Sequence, residues 1–416
     1  MNALKGDDRS QAPEPTESDL AHELRSELER IYARHSPSAK GGLAFRYREG
    51  QEGLDQLTDL EVPLEYAFSP KYKGRLTLRA TPVLVDAGNI SSGDLTTLRQ
   101  FGTNADVMVP LAKSVAMNDS GLALSADYDT RQWHADLGVT PLGFTQSNVV
   151  GGVRWQPVVG PMQVAIGFTR HAVTQSVLSY AGARDTATGV VWGGVIENSV
   201  ELSGGYDLSG LGVYGTLSYG SLNGKNVASN TKFELSAGFY KDLLNSVNQN
   251  VKAGLHVSAL GYQRNLSYFS LGHGGYFSPR YYLSISVPVA WVGYNGPLSY
   301  QLGGSIGIHS FGEDDADYFP NNRDMQSQLE VVATSQPDIG ARYRGVSDLD
   351  FNYGLNANLE YGMNSQLSVG VKMAIAKAKD YKELSGLLYV SFWTQPQRHR
   401  TAPTPVVPFY IRDNYD

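Results

Sequence analysis

Around residue 285 apolar and polar residues alternate strictly. Leu283, Ile285, Val287 and Val289 take one face, and Tyr282, Ser284 and Ser286 the other. A period of two places successive side chains on opposite faces of a β-strand. The row ends in Trp291 before a Gly-Pro turn. It follows a glycine- and aromatic-rich stretch, 268–279, that reads as an ordered loop. A continuous apolar row capped by aromatics either packs on a second sheet or faces lipid.

The same alternation recurs from residue 41 to 393 and predicts roughly sixteen strands, a number typical of porins. One outward row is Leu60, Val62, Leu64, Tyr66 and Phe68, and another is Leu211, Val213, Leu217 and Tyr219. Phe351, Tyr353, Leu355, Leu359 and Tyr361 form a third, and Leu384, Leu388, Val390 and Phe392 the last. Residues between the rows are polar or small. Connections alternate in length. Short turns fall at 70–74, 129–131, 158–161, 208–210, 244–248, 293–297 and 362–365; long polar connections fall at 86–116, 174–188, 222–230, 262–279 and 312–345. Outer-membrane barrels have short turns on one side and long loops on the other, and a soluble sandwich has no reason to keep that order. The expected fold is therefore all-β, an antiparallel transmembrane barrel.

Residues 1–19, polar and proline-bearing, are expected to be disordered. In residues 20–33, Leu24, Leu28 and Ile31 at helical spacing predict one short amphipathic helix. It is too short to stand alone, and residues 34–40 link it to the barrel. No further helix is expected after residue 41. The tail, 394–416, carries spaced prolines that favour an extended chain, with Phe409, Tyr410, Arg412 and Tyr415 near its end. It is expected at the periplasmic mouth.

The composition fits a barrel. The 416 residues hold 25 Tyr and 45 Gly, and the absence of Cys excludes a disulfide framework or thiolate metal site. A net charge of −7 argues against nucleic acid as a partner. No apolar run is long enough for a transmembrane helix. The start has no signal-peptide core, so the chain is expected to be part of something longer. No nucleotide fingerprint or metal-ligand spacing appears, and no cofactor is expected. The G-x-S-x-G run at 303–307 lies in mid-strand without the strained elbow that a hydrolase requires. The acidic run Glu313, Asp314, Asp315 and Asp317 lacks EF-hand spacing and reads as a solvated loop.

The stretches GHGGYFSPRYYLSISVPVAW (272–291) and TPLGF (140–144) resemble the C-terminal barrel of the bacterial cellulose synthase operon protein C family, outer-membrane exporters of cellulose. The resemblance implies a channel rather than an enzyme. It passes a linear β-1,4-glucan outward without a nucleotide, with outer-membrane lipid and the periplasmic and inner-membrane components of the cellulose synthase as partners. It also implies that helix 20–33 ends a tetratricopeptide region. Alternatives are a barrel for another biofilm polysaccharide such as poly-N-acetylglucosamine, or a barrel hydrolase.

Candidate path residues fall in two groups. Tyr268, Phe269, Tyr276 and Phe277, with Tyr282, offer faces on which sugar rings stack, or else pack the loop and girdle. Glu61, Glu65, Asp136, Glu234 and Glu360 face inward by parity. They either hydrogen-bond sugar hydroxyls or form ion pairs that brace the wall. Glu201, Arg46, Arg79, Arg154, Lys252 and Lys372 share that face.

Overall fold

The computed structural model describes residues 35–104, 106, 114–246, 248–336, 340–378 and 381–396. The expected helix at 20–33 and the tail from residue 397, with Phe409, Tyr410, Arg412 and Tyr415, lie outside the described residues.

The alternating segments form strands because each can put its apolar set on one side and its polar set on the other. Sixteen of them make the wall. The first half comprises β1 (Ser38–Arg48), β2 in two pieces (Leu57–Glu61 and Leu64–Phe68), β3 (Arg75–Ile90), β4 (Val115–Asp129), β5 (Trp133–Leu142), β6 (Val149–Trp155), β7 (Met162–Ala172) and β8 (Val191–Leu208). The second half comprises β9 (Leu211–Lys225), β10 (Asn230–Ser246), β11 (Gln249–Tyr262), β12 (Tyr281–Asn295), β13 (Leu298–Gly312), β14 (Ser347–Gly362), β15 (Leu367–Ala378) and β16 (Tyr381–Trp393). Each strand pairs antiparallel with the next. β16 pairs antiparallel with β1, from Ser38↔Trp393 to Arg48↔Glu383. This closure gives both edges of the sheet a partner.

Parity decides which side is which. Leu283, Ile285, Val287 and Val289 are 54, 48, 45 and 45% exposed, whereas Ser284 between them is 9% exposed. The apolar rows thus form the outer surface and the polar rows line the lumen, which is the order a lipid solvent imposes. Trp133 stacks on Trp155 at 5.9 Å and Trp291 meets Tyr300 edge-on at 5.3 Å. Both pairs sit at the short-turn ends of their strands, as an aromatic girdle does. Among the described residues no helix is long and apolar enough to cross a membrane; the strands cross it.

The short turns suit their hairpins. Ser209 and Gly210 both have positive φ (51° and 90°) between the paired Leu208 and Leu211, the type I′ pattern. Gly296 (φ 57°) precedes Pro297 between the paired Asn295 and Leu298, as in type II′. Two expectations about the other end need correction. β9 runs on to Lys225, so the connection predicted at 222–230 is only 226–229. Helices also occur beyond residue 41: α1 (Leu95–Leu98), α2 (Val177–Ala181) and α3 (Arg323–Ser335). The side chain of Asn322 caps α3 by accepting from Met325 N–H at 3.1 Å. Only Leu329 and Gln326 of α3 are buried, so its apolar stripe is too thin to register as a period in the sequence.

The largest apolar core lies at the long-loop end. Connections 91–104, 173–190 and 263–280 fold inward onto Val83, Val85, Val115, Met117, Trp192, Val195 and Leu222 of the wall. Phe101-Gly102, after β3, pairs with Phe269-Ser270, after β11. Those connections lie eight strands apart in a ring of sixteen, on opposite sides of the barrel, so the pairing spans the mouth.

Candidate functional site: the lumen wall and its mouth

Two arcs of the lumen differ in chemistry. On β16 and β1–β5 many inward residues are charged, and several of these are paired. Arg79 Nε donates to Glu65 at 2.8 Å and its Nη1 pairs with Asp127, bridging β2, β3 and β4. Arg46 pairs with Asp59 at 3.0 Å and donates to the Thr174 carbonyl at 2.8 Å, tying the 173–190 connection to the wall. Glu61 is buried nearby, and beyond β16 Lys372 on β15 and Glu360 on β14 are buried as well. Tyr389 donates its hydroxyl to Glu360 at 2.8 Å. His134 lies 3.6 Å from Asp136 and 2.7 Å from Asp129. Pairing of this kind offsets the cost of burying charge in a wall.

The arc from β9 to β14 is different. Inward positions on β12 and β13 carry Tyr282, Ser284, Ser286 and Pro288, then Gln301, Gly303, Ser305, Gly307, His309 and Phe311. No inward position of these two strands holds a carboxylate, lysine or arginine. β14 adds Asn352, Asn356 and Asn358, with Asp348 and Asp350 toward the long-loop end and Glu360 toward the short-turn end. Near the long-loop end, Tyr282 and His309 lie nearly parallel at 5.5 Å, and His309 and Phe311 at 6.2 Å. Phe277, 40% exposed, meets Tyr282 and Phe311 edge-on. The inward charges on β10 are paired: Glu234 with Lys232 at 2.8 Å and Asp242 with Lys252 of β11 at 3.6 Å. On β6 and β8, Arg154 lies 3.4 Å from Glu201.

The mouth is held by its backbone as much as by its apolar core. Gly275 has φ 65°, and its carbonyl accepts from Ser176 Oγ at 2.6 Å. A Cβ there would lie 2.8 Å from that oxygen, so only glycine lets these loops approach. Buried Asp185 accepts from the amide and hydroxyl of Thr103, both at 2.9 Å. The fully buried ring of His273 donates from Nε2 to the Asp317 carbonyl at 2.9 Å, and burial pushes its pKa down to about 4. Tyr268, Tyr343 and Tyr318 stack in succession at 3.6 and 4.1 Å. Burial pushes the Tyr268 hydroxyl up to about 12 and raises the Glu313 carboxyl above its ordinary range.

The loop aromatics are therefore not one platform. Phe269 and Tyr276 are buried in the core that spans the mouth, with the Tyr276 hydroxyl accepting from Asn230 at 3.1 Å. Tyr268 belongs to the tyrosine stack, and only Phe277 joins Tyr282 on the lumen wall. The acidic run is also engaged: Asp317 pairs with Arg342, Asp314 lies 3.5 Å from Arg280, and Glu313 accepts from Ser267 at 2.7 Å. Among the described residues no group of His, Asp or Glu is placed to hold a metal ion.

A family model described as "Cellulose synthase operon protein C C-terminus" matches residues 55–395. The chain belongs to this family. Among its relatives, the cellulose synthase operon protein C of Pseudomonas fluorescens (strain SBW25) is 33% identical over 374 residues, covering 88% of this chain and 28% of the relative. That of Salmonella typhimurium (strain LT2) is 30% identical over 400 residues, covering 94% and 33%. The chain thus spans about a third or less of these relatives' length. A solved structure titled "Bacterial polysaccharide outer membrane secretin" superposes with a TM-score of 0.52 at 10% identity, covering 87% of this chain and 99% of the other. It shares the barrel fold.

In this member of the cellulose synthase operon protein C family, sequence reading missed several inward aromatics. Tyr214, Tyr240 and His256 meet on β9–β11, and His309 and Phe311 stand beside Tyr282. The available signal was parity. Each sits one position off an outward row, amid serine, threonine and glycine. It becomes visible only when the inward set is read as closely as the outward one.

Proposed function

We propose that the chain is an outer-membrane channel through which a linear neutral glucan, cellulose, passes from periplasm to cell surface. The carrying observation is the pair of adjacent strands β12 and β13, whose inward aromatic, hydroxyl and amide side chains carry no carboxylate, lysine or arginine, in a barrel of the cellulose synthase operon protein C family. A β-1,4-glucan is a flat ribbon with apolar C–H faces and hydroxyl edges. Aromatic rings accept the faces, while serines and asparagines accept the edges. Short turns facing the periplasm and long loops facing outward is the orientation usual for such barrels. Phe277 and Tyr282 line the path. Glu65, Asp136, Glu234 and Glu360 brace the wall through their pairs, Glu61 is buried in the same wall, and the loops that span the mouth part to release the polymer. Passage is passive, driven by the synthase in the inner membrane. The segment before the barrel engages periplasmic partners, and the tail lies at the periplasmic mouth.

The test is removal of residues 41–393 from the full-length protein in its host, with external and periplasmic glucan measured. The expected result is loss of cellulase-sensitive polymer outside and its accumulation inside. Undiminished external cellulose, or loss of a different polysaccharide, overturns the reading.

A further inference from the structure

Resting on the export reading, we propose that the lumen holds a second sugar-stacking station, built on Tyr214 and His256. A belt of hydroxyls separates it from the station around Tyr282. The two rings are nearly parallel at 5.8 Å and are joined by a 2.9 Å hydrogen bond between Tyr214 Oη and His256 Nδ1. Tyr240 lies 6.4 Å from Tyr214. The rings lie down on bare backbone. A Cβ on Gly238 would come within 2.5 Å of the Tyr214 hydroxyl, and one on Gly212 would run into the Tyr240 ring. Glycine beneath an inward tyrosine lets it lie flat and turn its free face to the lumen, the presentation that a pyranose face needs. Lys252 sits 4.3 Å over the Tyr240 ring, so Tyr214 and His256 carry the open faces.

Register places this station on the path. Tyr214 pairs with Gly238, Gly238 with His256, and His256 with Ser286. One step nearer the mouth, Thr216, Ser236, Ser258 and Ser284 pair in succession across four strands. This is a cross-strand belt of inward hydroxyls. One further step along β12 stands Tyr282, facing Phe311. The two stations are thus four residues apart along the strand, about 13 Å. The sequence of stacking face, hydroxyl belt and stacking face matches a neutral β-linked glycan, whose faces and hydroxyl edges are both available along its length. A polyanion would gain nothing from it.

The experiment is calorimetric titration of cellohexaose into the detergent-solubilised full chain, with maltohexaose as the bent-chain control. Folding of each variant is checked by heat-modifiable gel migration. Tyr214→Ala and Tyr282→Ala are each expected to weaken cellohexaose binding about three- to tenfold. Tyr214→Phe, which keeps the ring and loses the hydrogen bond, is expected to stay within about twofold. Should Tyr214→Ala fail to fold, Tyr214→Leu supplies the bulk without the aromatic face. Unchanged affinity in the Ala or Leu variant overturns the station. So does an equal loss in Tyr214→Phe, which would assign the residue to wall structure, and so does equal binding of maltohexaose. Glucan secretion is scored in cells carrying the same variants. Flat binding with normal secretion sinks the station and leaves export standing, whereas absence of secreted glucan from wild-type cells sinks the export reading itself.

Discussion

Strands β12 and β13 and the wall from β16 to β5 share one outer surface and differ in the charge they carry inside. On β1–β5 and β16 the inward residues include carboxylates and guanidinium groups locked to one another, as in Glu65–Arg79–Asp127. On β12 and β13 they are serine, glycine, glutamine and aromatics without charge. Lipid imposes the same solution on every strand's outer face, so the outside carries no information about task. The inside does. A paired charge across three strands braces a wall, while small hydroxyls and flat rings leave a surface along which something neutral can slide.

The contrast between the arcs breaks most sharply at Arg79. Arg79→Met strands two buried carboxylates and is expected to cost about 3–5 kcal/mol, read as a fall in the urea midpoint of the folded barrel. Ser305→Ala on the opposite arc is expected to cost under about 0.5 kcal/mol. Similar losses at both positions would erase the distinction between bracing and path.

Within the neutral arc the two faces separate next. Val287→Arg places a charge in lipid and is expected to cost about 2–4 kcal/mol, against little for Ser286→Arg facing the lumen. Equal folding defects would reverse the assigned parity.

The loops rising from this arc carry a pH dependence. The imidazole of His273 has a pKa near 4 in place, below its ordinary value of about 6.5. Its contribution to the closed loops is therefore complete above pH 6.5 and is lost as pH falls toward 4. The total is about 3 kcal/mol. Glu313, whose carboxyl is raised by burial, works in the opposite sense, favouring the closed loops at low pH. Asp317 is held by Arg342. Comparison of wild type with His273→Gln by hydrogen exchange of residues 263–280 isolates the histidine. Acid-induced opening should vanish in the variant, and equal opening in both would remove His273 as its cause.

The smallest effect is at the lumen surface. Phe277→Ala is expected to leave the barrel's thermal midpoint within about 2 °C. Polymer export should fall severalfold, since one stacking contact of about 0.5–1.5 kcal/mol is lost. Unchanged export with a lowered midpoint would make Phe277 a packing residue.

Much of the wall was legible in the chain. Rows such as Leu283–Val289 are long enough for period two to stand out, and alternating short and long connections order the strands into hairpins. The mouth was not legible. Phe269 and Tyr276 resemble lumen rings because nothing local says that connections from opposite sides of the ring meet there. Helix α3 hid because it buries little beyond Leu329. Tyr214 and His256 lie 42 residues apart and become neighbours only through the register of β9, β10 and β11. What is periodic along one strand can be read, and what depends on pairing across several has to be seen.

Passage of the polymer along the neutral arc is tested most directly by a structure of the barrel with a cello-oligosaccharide bound. Pyranose faces are expected against Tyr214 and Tyr282, with sugar hydroxyls in hydrogen-bond range of Ser258 and Ser284. Sugar bound along the Arg46–Arg79 wall, with the Tyr214 and Tyr282 faces left bare, would contradict it.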